Sequence, residues 1–330
     1  MTAMTAKIRG TTVRLGTRKS LMATAQSQRV ADAFSQRTGY AVELVGVTTE
    51  GDVSKADLAQ IGGTGVFVNG LRERLLAGEI DFAVHSLKDL PTAPPAGIVL
   101  AAVPARDDPR DALCGTAKLA DLPHGARVGT GSPRRVAQLR AVRPDLDVVP
   151  IRGNADTRLR KVTDGEFAAV VLAYAGLVRI GRLDAVAEVL DPNTMLPAPG
   201  QGALAVECRA DRTDLVELLG TLDDPSTRAA VTAERAVLVE LEAGCSAPVG
   251  AYAAEYAAER SAGGSAGRSA ELRLTAAVVA ADGARQLRLS AIGVPERAAD
   301  LGRDLAARML ADGAGQLMGE HDPGRRRREP

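Results

Sequence analysis

Gly78-Glu79-Ile80-Asp81-Phe82-Ala83-Val84-His85-Ser86-Leu87-Lys88-Asp89-Leu90-Pro91 is the stretch around which the chain is organised. Residues 80–84 are apolar, with two β-branched side chains and one aromatic, the pattern of a short buried strand. His85, Ser86, Lys88 and Asp89 then arrive together, and Pro91 prevents the strand from continuing. Polar groups bunched at the carboxyl end of a strand in an α/β chain face a ligand crevice. A carboxylate beside a lysine on a rigid strand end suits chemistry on a cationic intermediate. A surface ion pair at a strand terminus, contributing about 0–1 kcal/mol, would leave the same pattern.

Upstream, Val13-Arg14-Leu15-Gly16-Thr17-Arg18-Lys19-Ser20 reads as a strand ending at a Gly-Thr turn. A helix is predicted over 21–34, with Leu21, Ala25, Val30 and Phe34 as its core stripe. Ser20 stands at the N-cap, so the free amides beside it and Arg18 suit an anion. A strand over 42–47 and a helix over 66–77 follow. Between them, residues 49–65 form a glycine-rich connection and a candidate lid.

The second segment repeats the first. Arg14-Leu15-Gly16-Thr17 is echoed by Arg127-Val128-Gly129-Thr130, residues 42–47 by 146–151, and 78–84 by 165–171. Three echoes in one order predict two α/β lobes of similar build, linked through 104–111. Ser132 and Pro133 open a helix predicted to run to about Arg143, carrying Arg134 and Arg135 in its first turn. Arg152 and Arg158 follow the next strand, and Arg179 the one after. Cations at helix starts oppose the helix dipole, and with Asp156 as the one nearby acid they repel one another until an anion arrives. The guanidinium fork suits carboxylate and phosphate alike.

Residues 186–202 are rich in Pro and Gly, and 196–202 form a loop. A strand over 203–207 returns to the first lobe. A helix over 226–241, capped by Ser226, ends at Gly244-Cys245-Ser246-Ala247-Pro248. Strands over 249–253, 272–279 and 287–292 and a helix over 295–310 complete a small third domain. The thiol of Cys245, in a loop past a helix end, is a nucleophile or an anchor for a covalent group. Cys114 and Cys208 read as buried small apolar residues.

The division expected is 13–104 with 203–221, 109–199, and 226–318, flanked by disordered tails at 1–12 and 319–330. The 330 residues carry 41 basic and 41 acidic side chains, so no general attraction to nucleic acid or membrane follows. Aromatic residues are 2% and Trp is absent, against a base-stacking surface. No apolar run of membrane-spanning length occurs, and residues 1–10 lack a signal core. Three cysteines without metal spacing fit a reducing cytoplasm and argue against zinc.

Taken together, Gly16-Thr17-Arg18-Lys19-Ser20, Val84 to Pro91, Val128-Gly129-Thr130-Gly131-Ser132-Pro133-Arg134-Arg135, Leu196 to Ala203 and Gly244-Cys245 resemble the porphobilinogen deaminase (hydroxymethylbilane synthase) family. The resemblance covers the chain from about Val13 to the last predicted helix. It implies two periplasmic-binding-protein-like α/β lobes plus a small C-terminal α+β domain. It implies condensation of four porphobilinogen molecules with loss of ammonia, on a dipyrromethane cofactor, then hydrolytic release of the linear tetrapyrrole. Cys245 matches the thioether attachment position and Asp89 the catalytic carboxylate, with Lys88 beside it. Lys88, Asp89, Thr130, Ser132, Arg134 and Arg135 match positions that hold the cofactor. Arg18, Ser20, Arg152, Arg158 and Arg179 match positions that take acetate and propionate groups of the substrate. A monomer without metal, in the cytoplasm, is implied as well.

Two features depart from the pattern. Gly63-Thr64-Gly65 stands where many relatives carry lysine, and residues 261–270 and the Arg325–Arg328 end lie outside it. The rival readings are a non-catalytic bilobal protein for small anions, which leaves Asp89 and the Cys245 domain without purpose, and a nucleic-acid binder, opposed by the charge balance.

Overall fold

A computed structural model describes residues 12–48, 68–93, 95–244, 247–256 and 271–319. The chain forms two compact units. One runs to Asp107 and returns over Ala203–Arg228; the other takes Asp108–Gly202 and the chain from Ala229 onward.

In the first unit, β1 (Val13–Arg18), β2 (Val42–Val47) and β3 (Phe82–Ser86) are mutually parallel, with β1 in the centre. β4 (Ile98–Ala102) lies at the far edge of this sheet. In the second unit, β6 (Arg127–Gly129), β7 (Asp147–Val149) and β8 (Ala169–Ala173) repeat the parallel trio, following β5 (Asp111–Gly115), with β9 (Val186–Val189) at the edge. The strand β10 (Leu204–Arg209) returns to the first sheet. The two orders, β2-β1-β3-β10-β4 and β7-β6-β8-β5-β9, are the same topology. In each sheet the fourth strand is antiparallel, and it is the strand nearest a passage of the chain between units.

The sequence echoes fall on equivalent pairs. Gly16 lies opposite Ala83 and Gly129 opposite Val170, while Asp81 and Ala168 donate their amides to the carbonyls of Arg14 and Arg127. Close packing excludes a side chain at Gly16 unless Ile80 moves, and leaves one at Gly129 only in tight contact. A Cβ on Gly16 would lie 2.2 Å from the end of Ile80, and one on Gly129 3.0 Å from the ring of Phe167.

The first helix, α1 (Leu21–Thr38), buries Gln26, Ser27, Val30, Ala31 and Phe34. The stripe expected from the sequence is corrected at its first position: Leu21 is 60% exposed, and the buried face begins at Gln26 and Ser27. Phe34 packs on Phe82 with ring centroids 5.5 Å apart, fixing α1 on one face of β3. α2 (Asn69–Leu76) covers the other face through Leu71, Arg72 and Leu75. The second sheet is flanked by α3 (Pro133–Val142), α4 (Ala155–Thr163) and α5 (Tyr174–Arg179), and α6 (Thr213–Gly220) packs in the first unit's core.

The C-terminal part is an antiparallel sheet of β11 (Val249–Tyr256), β12 (Glu271–Val279) and β13 (Gln286–Gly293). Its apolar core is shared by α7 (Pro225–Glu240), α8 (Ala298–Ala311) and α9 (Ala314–Gly319). α7 begins one residue before the expected cap. Asp224, not Ser226, accepts the Thr227 amide at 2.7 Å. β9 occupies part of the stretch read as Pro- and Gly-rich, and β5 begins at Asp111, inside the expected linker. The candidate lid at 49–65, the 261–270 segment and the Arg-rich end lie outside the described residues.

Gly16→Ala is expected to lower unfolding free energy by about 1–3 kcal/mol through overpacking. Ile80→Val in the same chain should restore part of it. Urea denaturation of the three proteins checks this, and an unchanged midpoint for Gly16→Ala would contradict the packing account.

Candidate active site

Because β1 and β3 are parallel neighbours, their carboxyl ends share one edge of the first sheet. Arg18 ends β1, and Ser20 caps α1 by accepting the Ala23 amide at 3.3 Å. β3 runs into a one-turn 3₁₀ helix, Leu87–Asp89. Leu87 is fully buried and donates its amide to Ala203 at 3.0 Å, so the turn is anchored from below. The turn leaves Lys88 half-buried and Asp89 exposed at the edge.

The strand beneath this turn is gripped on both faces. On the α1 face, Gln26 donates to the Ser86 hydroxyl at 3.0 Å. On the α2 face, the buried Arg72 guanidinium forks onto Glu207 of β10, Nε–Oε2 2.9 Å and Nη2–Oε1 2.7 Å. His85 Nε2 lies 3.3 Å from the same Oε2, at the outer limit of hydrogen-bond reach and imperfectly aligned, a contact that still favours the charged carboxylate. Burial pushes the Glu207 carboxyl upward, but His85 and Arg72 outweigh it and hold it at about 2.

The second unit presents the corresponding edge. Thr130 follows β6, buried, and its hydroxyl accepts the Ser132 amide at 3.2 Å. Ser132 is the N-cap of α3, with Pro133 in its first turn. Arg134 and Arg135 are buried and converge on Asp111, which has no exposure: Arg134 Nη2–Oδ2 2.8 Å, Arg135 Nη2–Oδ1 2.7 Å. Gln201 donates to Oδ1 at 2.9 Å and to the Pro109 carbonyl at 2.7 Å. Arg134 also donates to the Leu196 carbonyl and Arg135 to that of Val171. The expectation of arginines repelling one another with Asp156 as nearest acid is therefore corrected. The chain supplies Asp111 to both, and Asp156 pairs with Arg182 at 2.6 Å. Two guanidiniums still face one carboxylate, and Arg134 Nε is buried without a hydrogen-bond partner. Burial lowers the Arg134 pKa, against the attraction of Asp111.

Arg152 is exposed beyond β7, and Arg158 in α4 donates to the Gly153 carbonyl at 2.8 Å. Burial, and then the charge of Arg135, lower the Arg158 pKa. Arg179 ends α5 and donates to Gly202 at 2.6 Å. The sequence-predicted residues thus gather at two sheet edges, one in each unit. Cys245 lies outside the described residues; the chain approaches it through Glu242, whose φ of +50° is rare for a side chain with a Cβ.

Cys114 and Cys208 are buried, and burial pushes their thiols up to about 12 and about 11, so neither is a nucleophile. Sequence reading missed Asp111, Arg72 and Glu207. The available signal was an acid inside each otherwise apolar strand, Asp-Ala-Leu-Cys and Leu-Ala-Val-Glu-Cys. Among the described residues no group of three or more metal-ligating side chains occurs, and no helix is long and apolar enough to cross a membrane.

Each unit, taken by itself, is an α/β body with polar side chains at strand ends, arginine-rich in the second and bearing a lysine–carboxylate pair in the first. That is the build of a protein that handles small anions and has a group for chemistry. Two family models match: "porphobilinogen deaminase, dipyromethane cofactor binding domain" over residues 13–217 and "porphobilinogen deaminase, C-terminal domain" over 228–311. The chain is 60% identical over 325 residues to a porphobilinogen deaminase of Thermobifida fusca, covering 96% of this chain and 98% of that one. It is 58% identical over 318 residues to porphobilinogen deaminase 1 of Streptomyces coelicolor, covering 93% and 98%. The solved methionine-binding protein MetQ aligns over 64% of this chain and 89% of its own at 14% identity and a TM-score of 0.42. The chain belongs to the porphobilinogen deaminase family.

A carboxyl held low contributes stability that is fully present above its ordinary value of 4.5 and lost as pH falls through about 2. The thermal midpoint should therefore fall more steeply from pH 4.5 toward pH 2 in the natural chain than in an Arg72→Met/Glu207→Gln pair. Equal slopes would contradict the assignment.

Proposed function

We propose that this chain is a hydroxymethylbilane synthase that joins four porphobilinogen molecules head to tail and releases the linear tetrapyrrole by hydrolysis. The observation that carries the reading is the excess of guanidinium at the second unit's strand ends, where Arg134 and Arg135 share one carboxylate; the first unit, taken by itself, exposes the strand-end carboxylate of Asp89. The rival of a passive anion-binding protein accounts for the arginines and leaves Asp89 and the C-terminal domain unexplained.

The donor set fits a dipyrromethane bearing acetate and propionate groups. Arg134 and Arg135 share one carboxylate, and the buried Arg134 Nε has no hydrogen-bond partner until an anionic oxygen supplies one. When bound through a thioether to Cys245, that group supplies the nucleophilic pyrrole carbon and the primer for elongation. Thr130, Ser132, Arg134 and Arg135 would hold its carboxylates, with Lys88 and Asp89 at its pyrrole end. Arg18, Ser20, Arg152, Arg158 and Arg179 bind the acid side chains of porphobilinogen. Guanidinium is the fitting choice, because its fork matches a carboxylate and it stays charged at every physiological pH.

Asp89 acts on the reacting ring. As the substrate's C–N bond breaks and ammonia leaves, positive charge develops on the pyrrole, and the fixed carboxylate stabilises it and accepts or returns a proton at the ring nitrogen. Its exposure at the edge lets it face the substrate, while buried Leu87 fixes the turn. Lys88 offsets the charge of Asp89 or takes a substrate carboxylate. The division at 13–104 with 203–221, 109–199 and 226–318 belongs to this reading, as do a monomeric state and a cytoplasmic setting.

Asp89→Asn keeps the shape and removes the charge. Ammonia release from porphobilinogen should fall about 100-fold or more, with KM changed little. Arg158→Leu should instead raise KM. An Asp89→Asn protein that releases ammonia at the natural rate would sink the assignment.

A further inference from the structure

Among the described residues, one buried charged cluster in the first unit has no part in the reaction as outlined, and it consists of Arg72, Glu207 and His85. Strand alternation puts His85 on the same face of β3 as Ala83, toward α2. On that face the apolar core of Leu71, Leu75, Ile80 and Ala83 stops, and the three charged or polar side chains occupy its end. His85 is the last buried residue of β3; Lys88 and Asp89 follow three and four positions later.

Burying an arginine and a glutamate is hard to justify by stability alone, since apolar side chains of similar volume commonly do as well or better. What an ion pair adds is geometry. Glu207 on β10 lies opposite Ala83, and Ala205 opposite His85, so the carboxylate reaches diagonally along the sheet to the imidazole. Both guanidinium bonds from α2 fix that carboxylate in one orientation. The imidazole is buried, and its Nε2 edge faces the carboxylate at 3.3 Å. On the opposite face Gln26 holds Ser86. The carboxyl end of β3 is thus restrained from both sides, one residue before the turn that carries Lys88 and Asp89.

We infer that Arg72, Glu207 and His85 form a positioning relay for the Lys88–Asp89 turn, acting through the His85 Nε2 edge and not through packing volume. The relay touches no substrate. It sets the height of Asp89 at the sheet edge, where a displacement of about 1 Å is enough to cost about 100-fold in rate. The inference rests on the assignment of Asp89 made above.

The test compares His85→Gln with His85→Asn in the full chain. A glutamine amide nitrogen reaches the place of Nε2, whereas an asparagine amide reaches only that of Nδ1. The relay predicts that His85→Gln retains most of the natural kcat, and that His85→Asn loses roughly tenfold or more, with KM for porphobilinogen and thermal midpoint unchanged in both. Equal kcat in the two variants, a change confined to KM, or a loss of kcat that tracks the thermal midpoint would overturn it. If His85→Asn does not fold, Arg72→Met/Glu207→Gln takes its place, and an unchanged kcat there overturns the relay. Asp89→Asn runs alongside. Full activity in that variant overturns the site assignment and the relay with it, whereas an inactive Asp89→Asn beside two fully active His85 variants overturns the relay alone.

Discussion

A carboxylate with no exposure to solvent, Asp111, holds two buried guanidiniums and a glutamine amide, and much of the second unit is fastened by it. It stands at the first residue of β5, so the strand entering the second sheet is tied at once to the start of α3 and to the loop at 196–202. The loop is stitched further by Gln138 to Leu196, by Arg179 to Gly202 and by buried Glu234 to the Gly200 amide. Glu234 also accepts the Ala253 amide, which binds the C-terminal sheet to the same loop. Removing one partner of such a cluster strands a buried charge, at a cost of about 3–5 kcal/mol.

The first unit solves the same problem with different residues. In both sheets the antiparallel fourth strand contributes the acid, Asp111 on β5 and Glu207 on β10, and in both a flanking helix contributes the arginine. The parallel trio beside it delivers three strand ends to one edge. Parallel pairing thereby determines where chemistry can be placed, and the buried acids determine how rigidly the edge is held. The outcome differs in sign: the first edge exposes a carboxylate at Asp89, the second gathers guanidinium.

Local patterning in the sequence was enough for the repeated sheets. Phe82 to Val84 is apolar because it is covered on both faces, and Gly16 and Gly129 recur because Ile80 and Phe167 fill the space a side chain would need. Ser20 and Pro133 mark helix starts by chemistry that acts within three or four residues. The pairing of Asp111 with Arg134, Arg135 and Gln201 spans 23, 24 and 90 positions and leaves no local trace. For the same reason the arginines read as mutually repelling until the strand carrying their acid was in place. Leu21 misled because apolar spacing along a helix does not by itself say which of its turns is covered.

The proposed function depends on a covalent primer carried by Cys245. Intact mass of the purified protein, followed by mass analysis of the peptide containing Cys245, tests that assignment most directly. The expected result is an excess over the 34.2 kDa chain equal to a dipyrromethane, confined to that peptide and growing by pyrrole increments on brief exposure to porphobilinogen. A folded protein whose Cys245 peptide stays unmodified after prolonged exposure to porphobilinogen would contradict it.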